Sequence, residues 1–295
     1  MSEERQPDET CRVAVDGGEV AVYSFGEGER VLLVLHGGPG LPCDYVRDSH
    51  SVMADHGWRV VAYDQLGCGE SDKPDDTSLF NVPRYVDEVE AVRTALGLGR
   101  VHLLGQSWGT WLGTDYCLKY QENVASYVIA NGSGCVPHTV AEMKRLRAAL
   151  GSETVAMMQR HEAQGTTDHP TYEAAITILY HRHLCRLDTW PAPLQRSLDG
   201  INMAVYGTMW GPNEFCCVGT LEDWDRLSEM GRIAVPCLIV SGLHDELTPE
   251  GAMLMQDVLP NAESVVFPNS SHTPFFEEPD AYFAALRGFL DRQPG

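Results

Sequence analysis

Short apolar runs that alternate with helical patterns are the feature that most restricts how this chain can fold. A strand that is one continuous apolar run is buried on both faces, which is typical of parallel sheets. Between the runs, apolar residues recur at helical spacing, as in residues 82–96, where Gly97 ends the pattern. This alternation predicts an α/β fold with a mostly parallel central sheet and helices on both faces. The predicted strands are residues 31–35, 59–63, 101–104, 124–130, 235–240 and 264–267.

The amino-terminal region has a different pattern. Residues 11–25 alternate apolar and polar positions around an Asp-Gly-Gly turn, which predicts a β-hairpin. Residues 1–9 are polar and acidic, so we expect a flexible tail there. This start lacks the basic and apolar regions of a secretory signal, and no apolar run is long enough to span a membrane. We therefore expect a cytoplasmic protein.

Residues 136–232 interrupt the alternation, because their patterns are helical and no strand run occurs among them. An insertion of this kind late in the sheet predicts a helical cap over the carboxyl edge, where open α/β sheets bind ligands. The domain that contains the sheet is then expected to comprise residues 10–135 and 233–295. Helices are predicted at residues 139–150, 152–164, 171–185, 193–205 and 221–230.

Composition excludes several classes of function. Asp and Glu total 42 against 21 Lys and Arg, giving a formal net charge of −21. Nucleic acids and anionic membranes both require cationic partners, so we expect neither to bind. The nine cysteines show no metal-ligand spacing, and we expect free thiols in a reducing compartment. We predict no metal site and no cofactor. The sequence leaves the oligomeric state open.

Residues 105–109 read G-x-S-x-G and lie directly between a predicted strand and a predicted helix. In that context the glycines permit a cramped turn that lifts the serine hydroxyl above the sheet edge. Ser107 is therefore the predicted nucleophile. The alternative is an ordinary serine in a tight structural turn.

A serine nucleophile needs a base and a group that orients the base. With this type of turn, the partners follow in the order serine, acid, histidine along the chain. Asp245 follows the predicted strand at 235–240, and His272 follows the one at 264–267. These positions predict a catalytic triad of Ser107, Asp245 and His272.

The anionic intermediate of acyl transfer also needs hydrogen-bond donors. One donor is expected to be the backbone N–H of Trp108, directly after the serine. The other is expected from the glycine-rich loop at 36–40, with Gly37 and Gly38 as the candidate residues.

Together these motifs resemble the proline iminopeptidase family of α/β-hydrolases. The resemblance rests on HGGPG at 36–40, DQLGCGES at 64–71 and GQSWGT at 105–110, with the acid and histidine in the family's positions. It extends into the insertion, where the motifs look like the tricorn-associated aminopeptidase and amino-acid amidase branch. Those motifs are YHRHL at 180–184, WGPNEF at 210–215 and LEDWD at 221–225.

The resemblance implies an α/β-hydrolase fold and cleavage of the amide bond after an N-terminal amino acid. It also implies that Glu214 and Glu246 bind the free α-amino group of a small peptide or aminoacyl amide. Carboxylates recognise an ammonium group through charge-assisted hydrogen bonds. Tyr206 and Trp210 precede Glu214, and they either line a substrate pocket or form the core of the cap.

Two residues depart from the family pattern. Gln106 precedes the serine, and Leu66 stands where many prolyl-specific members have arginine. The identity of the first substrate residue therefore stays open. Two other functions are kept as alternatives: an esterase or lactonase that tailors a biosynthetic product, and a non-catalytic ligand-binding protein.

Overall fold

An eight-stranded sheet forms the centre of the computed structural model, which describes residues 5–294. The strands lie in the order β1-β2-β4-β3-β5-β6-β7-β8. The β1–β2 and β2–β4 pairs are antiparallel, and every later pair is parallel. The predicted fold class is confirmed. The strands are β1 (Glu9–Val15), β2 (Gly18–Phe25), β3 (Arg30–Leu35), β4 (Trp58–Tyr63), β5 (Val101–Gln106), β6 (Val124–Ala130), β7 (Cys237–Gly242) and β8 (Ala262–Phe267).

Helices cover both faces of the sheet, which explains why the central strands are continuous apolar runs. In β3, Leu33 and Leu35 pack into one core, whereas Leu32 and Val34 pack into a second core on the other face. No helix within residues 5–294 has both the length and the apolar character to cross a bilayer. The helices outside the insertion are α1 (Asp44–His50), α2 (Val82–Ala95), α3 (Trp108–Tyr120), α10 (Pro249–Val258), α11 (Pro274–Glu277) and α12 (Pro279–Leu290).

Six helices occupy the insertion between β6 and β7. The helix predicted at 152–164 is present with those bounds. The helix predicted at 139–150 begins earlier, at Val136. The division of the chain into two domains stays a prediction. The six helices are α4 (Val136–Ala148), α5 (Ser152–Gln164), α6 (Pro170–His183), α7 (Ala192–Asp199), α8 (Met203–Met209) and α9 (Leu227–Met230).

Two helices predicted in the insertion differ from the structure. The helix expected at 193–205 is two helices, because Gly200 ends α7 and the side chain of Asn202 accepts the Ala204 N–H at the start of α8. The helix expected at 221–230 is only the short α9. Its start is fixed by Asp225, whose carboxylate accepts the Leu227 N–H, while the residues before it form turns.

The amino-terminal tail also needs correction. Residues 1–4 of the predicted tail lie outside the described residues, but residues 5–9 contact the folded chain. Arg5 pairs with Asp55 at 2.5 Å, and the Asp8 N–H donates to Ser24 O at 2.9 Å. Strand β1 then begins at Glu9. Pairing with the neighbouring strand therefore orders the second half of the predicted tail.

Candidate active site

Ser107 lies in the turn between β5 and α3, at the carboxyl edge of the sheet. Its backbone has φ 56° and ψ −125°, an unusual conformation for a residue other than glycine. A β-carbon at Gly105 would lie 2.2 Å from Gly109 O, and one at Gly109 would lie 2.3 Å from Leu35 O. The turn thus requires a glycine two residues before and two residues after the serine.

Asp245 and His272 meet at the same edge, in the loops that follow β7 and β8. His272 Nδ1 lies 2.7 Å from Asp245 Oδ1, and both side chains are buried. The carboxylate can only accept, so Nδ1 carries a proton and Nε2 is left free to take one. Within residues 5–294 the Ser107 hydroxyl forms no hydrogen bond to His272; such contacts often tighten only when substrate binds.

Asn131 was missed by the sequence analysis, although it holds the second oxygen of Asp245. Its Nδ2 donates to Asp245 Oδ2 at 2.7 Å and to Ser271 O at 3.2 Å. Its backbone φ is 55°, a conformation that asparagine tolerates better than most residues. The one signal in the sequence is an Asn-Gly pair directly after a buried strand.

The glycine-rich loop at 36–40 lies against the serine turn. A β-carbon at Gly37 would lie 2.8 Å from Ser107 Cβ, so only glycine allows this approach. The Gly37 N–H, however, donates to the Tyr45 hydroxyl at 2.7 Å and is not available to substrate. This corrects the prediction for Gly37 as a donor. Within the described residues, the N–H groups of Gly38 and Trp108 have no acceptor.

Gln65 and His36 hold this loop, and neither was singled out from the sequence. Burial lowers the pKa of His36, so its ring is neutral. Its Nε2 accepts the Gln65 N–H at 3.0 Å, which places the proton on Nδ1, 2.8 Å from Gly37 O. Gln65 Oε1 accepts the indole N–H of Trp108 at 2.8 Å and thereby joins the loop to the serine turn.

Glu246 and Glu214 form an acidic cluster beside the histidine. Glu246 Oε1 lies 3.8 Å from His272 Nε2, and Glu246 Oε2 is buried with no hydrogen-bond partner in the described part of the chain. Burial raises the pKa of Glu246 well above its usual value, and the charge of Glu214 raises it further. Burial also raises the pKa of Glu214, against the opposing effect of His272. Both carboxylates are therefore placed where a positively charged group would stabilise their ionised forms.

The two candidate pocket residues contact Glu214 in different ways. The Tyr206 hydroxyl is buried without a hydrogen-bond partner among residues 5–294, and its pKa is raised by burial and by Glu214. Trp210 instead packs on Trp111 and donates its indole N–H to Glu214 O at 3.1 Å. Tyr206 therefore faces the cluster, whereas Trp210 supports the backbone that carries Glu214.

Comparison with known proteins identifies the family. A family model described as the alpha/beta hydrolase fold matches residues 30–279. A proline iminopeptidase of Saccharolobus solfataricus is 37% identical over 273 residues, which are 92% of this chain and 88% of that protein. This chain belongs to the proline iminopeptidase family of α/β-hydrolases. The family predicted from the motifs is confirmed, and membership makes the chain a serine hydrolase.

Solved structures of similar proteins agree with this assignment. The crystal structure of VinJ matches with a TM-score of 0.93 at 33% identity, covering 97% of this chain and 99% of that one. The proline iminopeptidase of Mycobacterium smegmatis matches with a TM-score of 0.88 at 36% identity, covering 96% and 98%. The similarity to this family therefore includes the insertion as well as the sheet.

The charge on His272 depends on its acidic neighbours. Burial lowers its pKa, but Asp245, Glu246 and Glu214 together raise it to about 9. The neutral form of His272, with Nε2 free, is the form that acts as a base, and a cation beside the acidic neighbours would favour that form. The roles of the predicted site residues stay predictions, and the structure brings Asp245, Glu246 and Glu214 together around His272.

Proposed function

We propose that this chain is an aminopeptidase-type serine hydrolase or amino-acid amidase that cleaves the amide bond after an N-terminal residue with a free α-amino group. The observation that supports it best is the pair of carboxylates, Glu214 and Glu246, beside His272 Nε2. One oxygen of Glu246 is buried without a partner, an arrangement that a bound ammonium group would complete. The substrates are small peptides or aminoacyl amides.

The reaction follows from the positions of the triad. Ser107 Oγ attacks the carbonyl carbon while His272 Nε2 takes the hydroxyl proton, and Asp245 holds the resulting imidazolium. The N–H groups of Gly38 and Trp108 bind the negative oxygen of the tetrahedral intermediate. His272 then gives its proton to the leaving amine, and water hydrolyses the acyl-enzyme by the same steps in reverse.

Recognition of the substrate amine combines two parts of the chain. Glu246 follows the triad aspartate directly, whereas Glu214 comes from the insertion. In an α-amino acid one carbon separates the ammonium from the carbonyl. Because Glu246 Oε1 lies 3.8 Å from His272 Nε2, an ammonium held by Glu246 places the scissile carbonyl next to the base. A substrate with a blocked amine would leave both carboxylates buried and unpaired, so binding of such substrates is disfavoured.

We further propose that residues 136–232 act as a cap on a catalytic domain of residues 10–135 and 233–295. Contacts between the two support this: the Glu246 N–H donates to His183 O at 3.3 Å, and His183 Nδ1 donates to His244 O at 2.8 Å. The end of α6 therefore fixes the loop that carries Asp245 and Glu246. All nine cysteines are free thiols, which supports a cytoplasmic location.

The proposal is tested by a substrate panel together with a fluorophosphonate probe. L-aminoacyl p-nitroanilides and short peptides are expected to be hydrolysed faster than uncharged p-nitrophenyl esters, relative to their uncatalysed rates. The probe is expected to label Ser107, identified by peptide mass. Preference for uncharged esters would support the esterase alternative, and a folded protein that the probe does not label would contradict catalysis.

The raised pKa of His272 gives a pH prediction. A general base must be neutral, so kcat/KM, corrected for the fraction of substrate whose amine is protonated, is expected to rise with pH through the free enzyme's value of about 9. A bound ammonium offsets the charges of Glu214 and Glu246 and lowers the pKa of His272. The rise in kcat is therefore expected at lower pH than the rise in kcat/KM. Rate profiles from pH 5 to 10 measure both, and coincident profiles would contradict an ammonium beside His272.

Asn131→Ala is expected to lower kcat about 10- to 100-fold with little change in KM, since it removes one hydrogen bond to a charged carboxylate. Asp245 is then free to turn away from His272. Steady-state kinetics on an aminoacyl p-nitroanilide measures the effect, with the melting temperature as the check on folding. A lowered melting temperature with unchanged kcat would limit Asn131 to a stabilising role.

A further inference from the structure

Gln106 lies between β5 and the nucleophile, and both ends of its side-chain amide are used. The side chain is 1% exposed. Its Oε1 accepts the hydroxyl proton of Tyr45, and its Nε2 donates to the backbone oxygen of His272 at 3.1 Å. A carbonyl oxygen can only accept, which fixes the amide with its nitrogen toward His272.

Tyr45 continues this chain of hydrogen bonds to the glycine-rich loop. Its hydroxyl accepts the Gly37 N–H at 2.7 Å and gives its own proton to Gln106. Three consecutive hydrogen bonds therefore run from the backbone next to Gly38 to the backbone of His272. Each polar side-chain atom along this buried path has at least one hydrogen-bond partner, and connected buried hydrogen bonds of this kind hold their members in one arrangement.

We propose that Gln106 is a positioning residue that ties the backbone of the histidine loop to the oxyanion loop. The tie keeps His272 Nε2 and the Gly38 N–H at a constant separation on either side of Ser107. The inference rests on the proposed function only in requiring acyl transfer at Ser107, whichever acyl group is transferred. Acyl transfer depends on holding base and oxyanion donors in place together.

The test uses two substitutions that keep volume but remove the tie, Gln106→Met and Tyr45→Phe. Each is expected to lower kcat about tenfold, the size of effect typical for one buried hydrogen bond, with KM within about twofold. The rise of kcat/KM with pH is expected to move to lower pH, because a looser His272 is less affected by its acidic neighbours. The kcat of the double variant is expected to be no more than about twofold below the kcat of the slower single variant.

Tyr116→Phe is the matched control, since it removes a tyrosine hydroxyl that bonds Glu90 at 2.7 Å. It is expected to leave kcat and the pH profile unchanged. The proposal would be overturned by single variants whose kcat is within twofold of wild type, or by a double variant in which the two losses of kcat multiply. An unchanged pH profile would also overturn it.

All variants are assayed on both an alanyl p-nitroanilide and an uncharged p-nitrophenyl ester. If wild type cleaves only the ester, the aminopeptidase proposal fails, but the role of Gln106 can still be tested by measuring kcat with the ester. If wild type cleaves the anilide and the variants match it, only the positioning role fails.

Discussion

Ser107→Ala is expected to lower kcat/KM by a factor on the order of 10⁶, because removal of a triad nucleophile has an effect of that size in serine hydrolases. The remaining donors still bind substrate, so KM is expected to change far less than kcat. Steady-state kinetics on an alanyl p-nitroanilide, with intact mass after fluorophosphonate treatment, measures both the loss of rate and the loss of labelling.

Ser126→Ala provides the matched control. Ser126 is also a buried serine of the central sheet, and its hydroxyl bonds His102 Nδ1 at 2.8 Å. This variant is expected to keep both activity and labelling. A Ser107→Ala protein that retained more than about a hundredth of wild-type activity, after exclusion of contaminating enzyme, would show that another residue is the nucleophile.

Glu246→Gln is expected to lower kcat/KM about 10²- to 10³-fold on substrates with a free amine, since it removes one charge from the proposed ion pair between this buried carboxylate and the substrate ammonium. Activity on the N-acetylated substrate is expected to stay constant or rise. Because burial already raises the pKa of Glu246, its charged form is unfavourable in the folded chain. The variant is therefore expected to melt at a higher temperature than wild type at pH 8.

Glu214→Gln tests the second carboxylate in the same way, and Glu90→Gln is the control away from the site. Glu90 pairs with Arg93 on α2, and its loss is expected to leave substrate preference unchanged. The measurement is the ratio of kcat/KM for free and acetylated alanyl p-nitroanilide in each variant. Equal losses of kcat/KM on both substrates would show that the glutamates support the fold or the triad and do not bind the substrate amine.

The sheet and the meeting of Asp245 with His272 could be predicted because their signals are local. Ser107 lies within a five-residue motif, and Asp245 and His272 each follow a strand directly. The split between α7 and α8 also had a local signal, since Gly200 is typical of a helix end and Asn202 of a helix start.

The supporting residues could not be predicted, because their partners are distant in sequence. Asn131 bonds Asp245 from 114 residues away, and no periodicity relates the two. The error at Gly37 has the same origin. A glycine-rich loop shows where donors lie, but whether one is free depends on Tyr45, which reaches it only in the folded chain.

The most direct test of amine recognition compares wild-type kcat/KM on alanyl p-nitroanilide with that on its N-acetyl derivative, at a pH where the free amine is protonated. The leaving group and the scissile bond are identical, so the comparison isolates the ammonium. Two buried carboxylates beside His272 predict a preference of at least about 10³ for the free amine. Equal rates on the two substrates, or faster cleavage of the acetylated one, would contradict the proposed function.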